Sequence, residues 1–422
     1  MSRDDLLLVA GEASGDLHAA RLLTEIRRLR PQVRAFGFGG GEVRAAGLEA
    51  VSDEDIAVVG IVEVLKVLKK AKQVFRQILE EVDRRRPAVA VLVDFPEFNL
   101  RLAKELSARG VKVVYYISPQ IWAWRRGRVR QIAQRVDRML VLFPFELDFY
   151  RGHGVDARHV GHPLVDEVPE LAQAWEESSE SQPKVPEEAP YRLALLPGSR
   201  PGEVASLLPA MLEAAELMAR EVPLFVRLVR APTISEELVR PILERSKVPV
   251  EVVGGAGSGG AQDSGKAQHG RFDAVADSHL AFCASGTATL ETGLLRTPLI
   301  VLYRLSLGSY LLAKMLVRLP FFSLVNLVLE RRVVPELLQH QASPEGAARE
   351  ALALLRDRRA VDEMRRGLTE LRPRLGERGA SSRAARAVLE MVEGGATENG
   401  STLAGRAQEP EPVKTAASED AS

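Results

Sequence analysis

Along the chain, short apolar runs alternate with segments whose apolar positions recur every three to four residues. The runs at 6–10, 88–94, 111–117, 138–143, 191–197, 224–229, 280–285 and 298–303 read as strands. Segments such as 16–29 and 204–220 read as amphipathic helices. Strands this continuously apolar, separated by helices, belong to parallel sheets covered on both faces. A polar, Pro-rich stretch at 178–190 splits the pattern into two series. It predicts an α/β chain of two Rossmann-like domains: residues 1–168, a linker at 169–190, and residues 191–343. Ala/Leu/Arg-rich helix follows over 344–393, broken near Pro373. The Gly/Ser/Gln-rich segment 254–270 reads as a flexible surface insertion and 394–422 as a disordered tail.

Composition narrows the classes. The 422 residues carry 57 basic and 57 acidic side chains, a formal net charge of zero, which argues against a dedicated nucleic-acid binder. The single cysteine, Cys283, suits a reducing cytoplasm. The chain opens on a charged triplet and then a core strand, so no signal peptide is expected. No apolar run is long enough to span a bilayer.

The candidate chemistry lies where strands end. Strand 88–94 delivers Asp94 at its carboxyl end, ahead of a strand-breaking Phe95-Pro96. A carboxylate there is either a satisfied turn residue or a reactive group. The first strand runs into GEASGD (11–16), which lacks the G-x-G-x-x-G spacing of dinucleotide folds. This is either a capped turn or a site where Glu12 and Ser14 meet the hydroxyls of a neutral sugar. LLPGSR (195–200) ends another strand with Arg200 near a helix start, either an ordinary turn or an anion site. In SGTATLE (285–291), Ser285, Gly286 and Thr287 suit a diphosphate at a helix N-terminus. Glu291, one helical turn on, suits the two hydroxyls of a ribose. Two such turns in one half favour a nucleotide over a plain capped helix. The seven histidines show no ligand spacing, and Asp53-Glu54-Asp55 reads better as a helix start than as a metal site, so no metal or other cofactor is expected. Residues 61–78 form a wide apolar stripe flanked by Lys66, Lys69, Lys70, Lys72 and Arg76. It suits either a core helix or a helix lying at a membrane surface, and 305–329 has the same character. The basic run 125–138 reads as a solvated face or a phosphate contact.

Taken in order, GEASGD, VDFPEFN (93–99), YISPQIWAWR (116–125), FPFE (143–146), GHPLVD (161–166), LLPGSR, SGTATLE and SLVN…PELLQ (323–339) resemble the lipid A disaccharide synthases. The resemblance covers nearly everything outside the linker, the insertion and the tail. It implies a GT-B-like fold: two Rossmann-like domains with an interdomain cleft and C-terminal helices returning to the N-terminal domain. It implies an inverting transfer from UDP-2,3-diacylglucosamine to 2,3-diacylglucosamine 1-phosphate, giving the β-1,6 disaccharide 1-phosphate and UDP. On that reading Asp94 is the general base, and Glu12, Ser14 and Asn99 orient sugar groups. Arg200, Ser285, Gly286, Thr287 and Glu291 hold UDP, while Asn326 and Gln339 contact donor or phosphate. The partners would be these two lipids and the cytoplasmic face of the inner membrane, with no nucleic acid. Two departures stand out: Val325 where the family usually has Pro, and Phe95/Glu97 where it usually has Ala and Asp. The alternatives are a transferase or epimerase for a soluble UDP-sugar, a metal-dependent transferase using Asp53 and Asp55, and a non-catalytic peripheral lipid binder.

Overall fold

The structure, a computed structural model, describes residues 4–52, 64–124, 126–169, 190–255, 264–304 and 320–398. The first sheet comprises Asp5–Ala10 (β1), Arg34–Phe38 (β2), Glu49–Ala50 (β3), Val89–Val93 (β4), Lys112–Tyr116 (β5), Arg138–Val141 (β6) and Ala157–His159 (β7). Its order is β3-β2-β1-β4-β5-β6-β7. The second comprises Tyr191–Leu196 (β8), Leu224–Arg230 (β9), Val250–Gly254 (β10), Leu280–Ala284 (β11), Leu299–Tyr303 (β12) and Glu336–Leu338 (β13). It runs β10-β9-β8-β11-β12-β13. The pairings in both sheets are parallel. Every position of β1, β4 and β11 is buried, because helices cover both faces. β1, β4, β5, β6, β8, β9, β11 and β12 fall where the apolar runs predict them, while β2 and β10, five residues each, lie outside those runs. The two- and three-residue strands β3, β7 and β13 are too short to leave a periodic signal.

Each sheet reverses its winding beside its first strand, between β1 and β4 and between β8 and β11. Ligands of doubly wound sheets bind at the carboxyl ends of the strands flanking such a point. Register makes those ends level: Ala10 pairs with Val93, and Leu196 with Cys283. The turns after β1, β4, β8 and β11, which carry the four candidate motifs, are therefore brought together two by two.

The C-terminal helices divide between the domains. Pro344–Arg356 packs on Pro201–Ala219, and Arg358–Thr369 and Leu371–Leu375 pack on Thr287–Leu294, so they belong to the second domain. Ala380–Glu398 returns to the first, lying on Ala13–Leu29, β4 and β5, and Arg372 of Leu371–Leu375 reaches it through the carbonyls of Val165 (3.2 Å) and Val168 (3.4 Å). The expectation that all of 344–393 completes the first domain is corrected accordingly. The break expected near Pro373 falls on either side of it: Pro373 lies within the short helix Leu371–Leu375, which ends at Gly376 and Gly379, with φ of +94° and +89°. The crossing is held by the GHPLVD motif. His162 N–H donates to the Leu375 carbonyl (2.9 Å). The Asp166 carboxylate accepts from Gly379 N–H (2.7 Å) and Ala380 N–H (3.2 Å), capping the last helix.

The insertion read as flexible over 254–270 is corrected at its ends, residues 256–263 lying outside the described residues. Gly254 closes β10, and a helix, Ser264–Ala276, begins inside the segment. The linker residues 170–189 and the tail from 399 lie outside the described residues, as do Asp53, Glu54 and Asp55.

Candidate active site

Asp94 follows β4 with φ +47°, and Phe95 follows it with φ +49°. Two successive left-handed residues that are not glycine cost on the order of 1–3 kcal/mol each, and such strain persists only where the surroundings over-determine it. The supports are visible. Asp94 N–H donates to the Tyr116 carbonyl (3.0 Å), while the Asp94 carbonyl accepts from Tyr115 O–H (2.6 Å) and Asn99 Nδ2 (2.8 Å). Asn99 also donates to the Val93 carbonyl (3.1 Å) and is fully buried. Asn99 is therefore a strut for the turn through its Nδ2, while its buried Oδ1 has no hydrogen-bond partner among the described residues. Gly11 lets the neighbouring turn close on this one, since a Cβ there would lie 2.2 Å from the Phe95 ring. That ring stacks on Phe98 at 5.2 Å, and Phe98 meets Phe75 edge-on at 5.5 Å. The larger residue in place of the family's alanine thus fills the wall beside the carboxylate.

Burial, reinforced by the nearby Glu12 carboxylate, pushes the Asp94 carboxyl up to about 6. The Phe95 N–H and the Arg200 guanidinium, which reaches across from the second domain, pull the other way. Glu12 and Ser14 are exposed on the first turn of Ala13–Leu29. Asp16 is buried and accepts from Gly40 N–H (2.7 Å) and Glu42 N–H (2.9 Å), so it caps the short helix Gly41–Ala45 rather than its own.

Across from Asp94, the second sheet presents a recess lined by Gly198, Ser199, Ser285, Gly286, Thr287 and Glu291, among others. Gly286 adopts φ +150° as the N-cap of Thr287–Leu294, leaving that helix's first N–H groups to the recess. Arg200 bonds Glu203 at 3.1 Å, yet its side chain is 79 % exposed and free to meet an anion. Glu291 pairs with Arg271 at 3.3 Å. Arg271 and Glu203 line the recess too. Neither was expected from sequence: Arg271 follows a segment read as a flexible loop, and Glu203 looks like a routine first-turn acid.

Asn326 is completely buried and spends its side chain on protein. Its Nδ2 donates to the Val334 carbonyl (2.9 Å) and Glu336 (2.8 Å), and its Oδ1 accepts from Val333 N–H (2.8 Å) and Val334 N–H (3.0 Å). Glu336 also takes the N–H groups of Phe322 (3.0 Å) and Ser323 (2.9 Å). The Phe322 carbonyl in turn accepts from Ser285 Oγ (2.8 Å). Asn326 is thus a support three hydrogen bonds behind Ser285, and its expected contact with donor or phosphate is corrected. Val325, buried against Gly293, leaves this network whole. Gln339 sits at the end of β13 with φ +51°, its N–H on the Tyr303 carbonyl (2.9 Å).

Other motifs prove architectural. Glu146 of FPFE is buried and accepts from Ser118 Oγ, Trp122 Nε1 (3.1 Å), Leu142 N–H and Phe143 N–H (both 3.2 Å). It thereby ties the 116–124 segment to the end of β6. In the basic run, Arg128 pairs with Glu97 (2.7 Å) and Arg138 with Asp156 (2.8 Å). His153, His159 and His162 satisfy local backbone groups. Among the described residues no group of three or more His, Cys, Asp or Glu side chains is placed to hold a metal ion. Nor is any described helix long and apolar enough to cross a membrane. In the apolar stripe, Val74 and Ile78 are core. The side chains of 61–68, and residues 305–319, lie outside the described residues.

Comparison with known proteins matches this architecture. The family model for lipid-A-disaccharide synthetase matches residues 6–391. The lipid-A-disaccharide synthase of Myxococcus xanthus (strain DK1622) is 47 % identical over 395 residues, covering 92 % of this chain and 98 % of the relative. Those of Anaeromyxobacter dehalogenans (strain 2CP-C) and Solibacter usitatus (strain Ellin6076) are 46 % and 41 % identical, covering 92 % and 93 % of this chain and 98 % of each relative. Solved structures are alike in fold at low identity. MurG of Acinetobacter baumannii has a TM-score of 0.53 at 11 % identity, covering 92 % of this chain and 99 % of its own. The S. aureus MnaA–UDP co-structure has 0.59 at 9 %, covering 92 % and 96 %. The fold is accordingly GT-B-like, and the chain belongs to the lipid-A-disaccharide synthetase family of glycosyltransferases.

Proposed function

We propose that the cleft between the two sheet ends joins two acylated glucosamines in one inverting displacement, with the following division of labour. The donor is UDP-2,3-diacylglucosamine and the acceptor 2,3-diacylglucosamine 1-phosphate. The acceptor's 6-hydroxyl oxygen forms a bond to the donor's anomeric carbon. The bond from that carbon to the β-phosphate oxygen breaks, its electron pair leaves with UDP, and the hydroxyl proton passes to Asp94. Glu12 and Ser14 orient sugar groups beside the base. Arg200 and the helix start at Ser285, Gly286 and Thr287 stabilise the charge growing on the leaving diphosphate. Glu291 takes the ribose hydroxyls, and Gln339 contacts the donor side.

The observation that carries this reading is Asp94 itself, a carboxylate in a strained turn at one switch point, poised near neutrality. A group with that proton affinity is ionised at working pH yet basic enough to accept a proton. The test is disaccharide formation from the two lipids in EDTA. Wild type should turn over, and Asp94→Asn should lose about 10²–10⁴ in kcat. A mutant nearly as fast as wild type would move the base elsewhere, and failure of wild type on these lipids would favour a soluble UDP-sugar.

Two acylated substrates also call for a place at the cytoplasmic face of the inner membrane. Exposed Lys69, Lys72 and Arg76 on the helix Val64–Arg85 support a peripheral contact there. Sedimentation with anionic vesicles tests it: binding should fall when these cations are changed to glutamine, and unchanged binding would remove this helix from the contact.

A further inference from the structure

We infer that Arg271 is a positioning residue of the donor recess, clamping Glu291 in the orientation that receives the ribose. The inference rests on the donor-site reading above and deepens it. Arg271 comes from the helix Ser264–Ala276, outside the switch-point turns that supply most of the recess. Its Nη2 stands 3.3 Å from Glu291 Oε2, and the two side chains are only 18 % and 16 % exposed. A carboxylate so far withdrawn from water needs a partner to stay charged and fixed. The other charge bearing on Glu291, the first domain's Glu167, is repulsive, and it is itself held by Arg21. The buried Cys283 thiol behind offers no compensation.

Position separates this role from a direct grip on the diphosphate. Glu291 lies one helical turn, about 6 Å, beyond the Thr287 end of its helix, where the free N–H groups are. A guanidinium committed to Glu291 stands at the sugar end of the nucleotide.

Calorimetric titration of the full chain with UDP and with 2′,3′-dideoxy-UDP tests the inference. Wild type should prefer UDP by at least tenfold. Arg271→Ala should abolish that preference while binding the dideoxy nucleotide as wild type does. Glu291→Gln should do the same, the double variant should be no worse than either, and Arg271→Lys should restore part of the preference. If Arg271→Ala keeps the preference, the inference is wrong. If Arg271→Ala weakens UDP and dideoxy-UDP equally but leaves UMP unaffected, Arg271 grips the diphosphate and the positioning role falls. Wild type that binds no UDP overturns the donor-site reading, and this inference with it.

Discussion

Asp94 shows how much of an enzyme can rest on one backbone angle. Its left-handed conformation turns a strand-end carboxylate into the cleft, and Asn99 holds the turn from behind through the carbonyls of Val93 and Asp94. Asn99→Ala should lower stability by about 1–3 kcal/mol, as expected for removing bonds to buried acceptors. It should also cut kcat without a matching rise in KM, because the displaced group works on the reaction rather than on binding; steady-state kinetics and thermal melts read both. The pH profile belongs to this scale too. With Asp94 near 6, kcat/KM should rise with pH up to about 6 and level off above it. The Glu12 carboxylate helps keep the proton on Asp94, so Glu12→Gln should move that limb to lower pH. A limb that stays put would mean that another group sets it.

Several motifs act at the scale of elements, by joining one element to another. Asn326 and Glu336 weld the helix Leu324–Leu329 to β13 and fix the Phe322 carbonyl that receives Ser285. Asn326→Ala would leave the buried Glu336 and the Val333 and Val334 amides under-bonded. A loss of about 2–4 kcal/mol is expected in thermal melts, with weaker UDP binding as the recess loosens. Glu146 gives a pH signature. Burial pushes it up to about 7 from an ordinary value near 4.5, so the folded chain holds a proton there that the unfolded chain has released. Its contribution to stability therefore falls as pH rises from about 4.5 to 7 and is level above. Glu146→Gln should remove that part of the slope, visible as the difference between the two melting-temperature profiles.

For the whole molecule, the path of the chain matters most. The last helix crosses back to the first domain and is capped there by Asp166, while the helices before it stay with the second. The crossover is thus a second covalent tie between domains that must approach each other around a substrate. Asp166→Ala should cost about 0.5–2 kcal/mol through the lost cap and raise hydrogen exchange selectively in Ala380–Glu398. Uniformly unchanged exchange would show that the helix is held by its packing alone.

Much of this was legible from one-dimensional pattern. Continuous apolar runs announce parallel strands, because a strand covered on both faces has no polar side to show. Turn chemistry after those runs announces the cleft, because small residues, a lone carboxylate and an arginine are what a strand end needs to meet a ligand. What the pattern leaves open is which polar residue faces the ligand and which faces the protein. Asn99 and Asn326 stand among cleft motifs yet are wholly buried struts. Arg271, adjoining a segment without pattern, stands in the recess beside Glu291. Hydrogen bonds between residues distant in the chain decide that, as does the docking of the C-terminal helices. Such contacts have no period along the sequence and exist only once the sheets have formed.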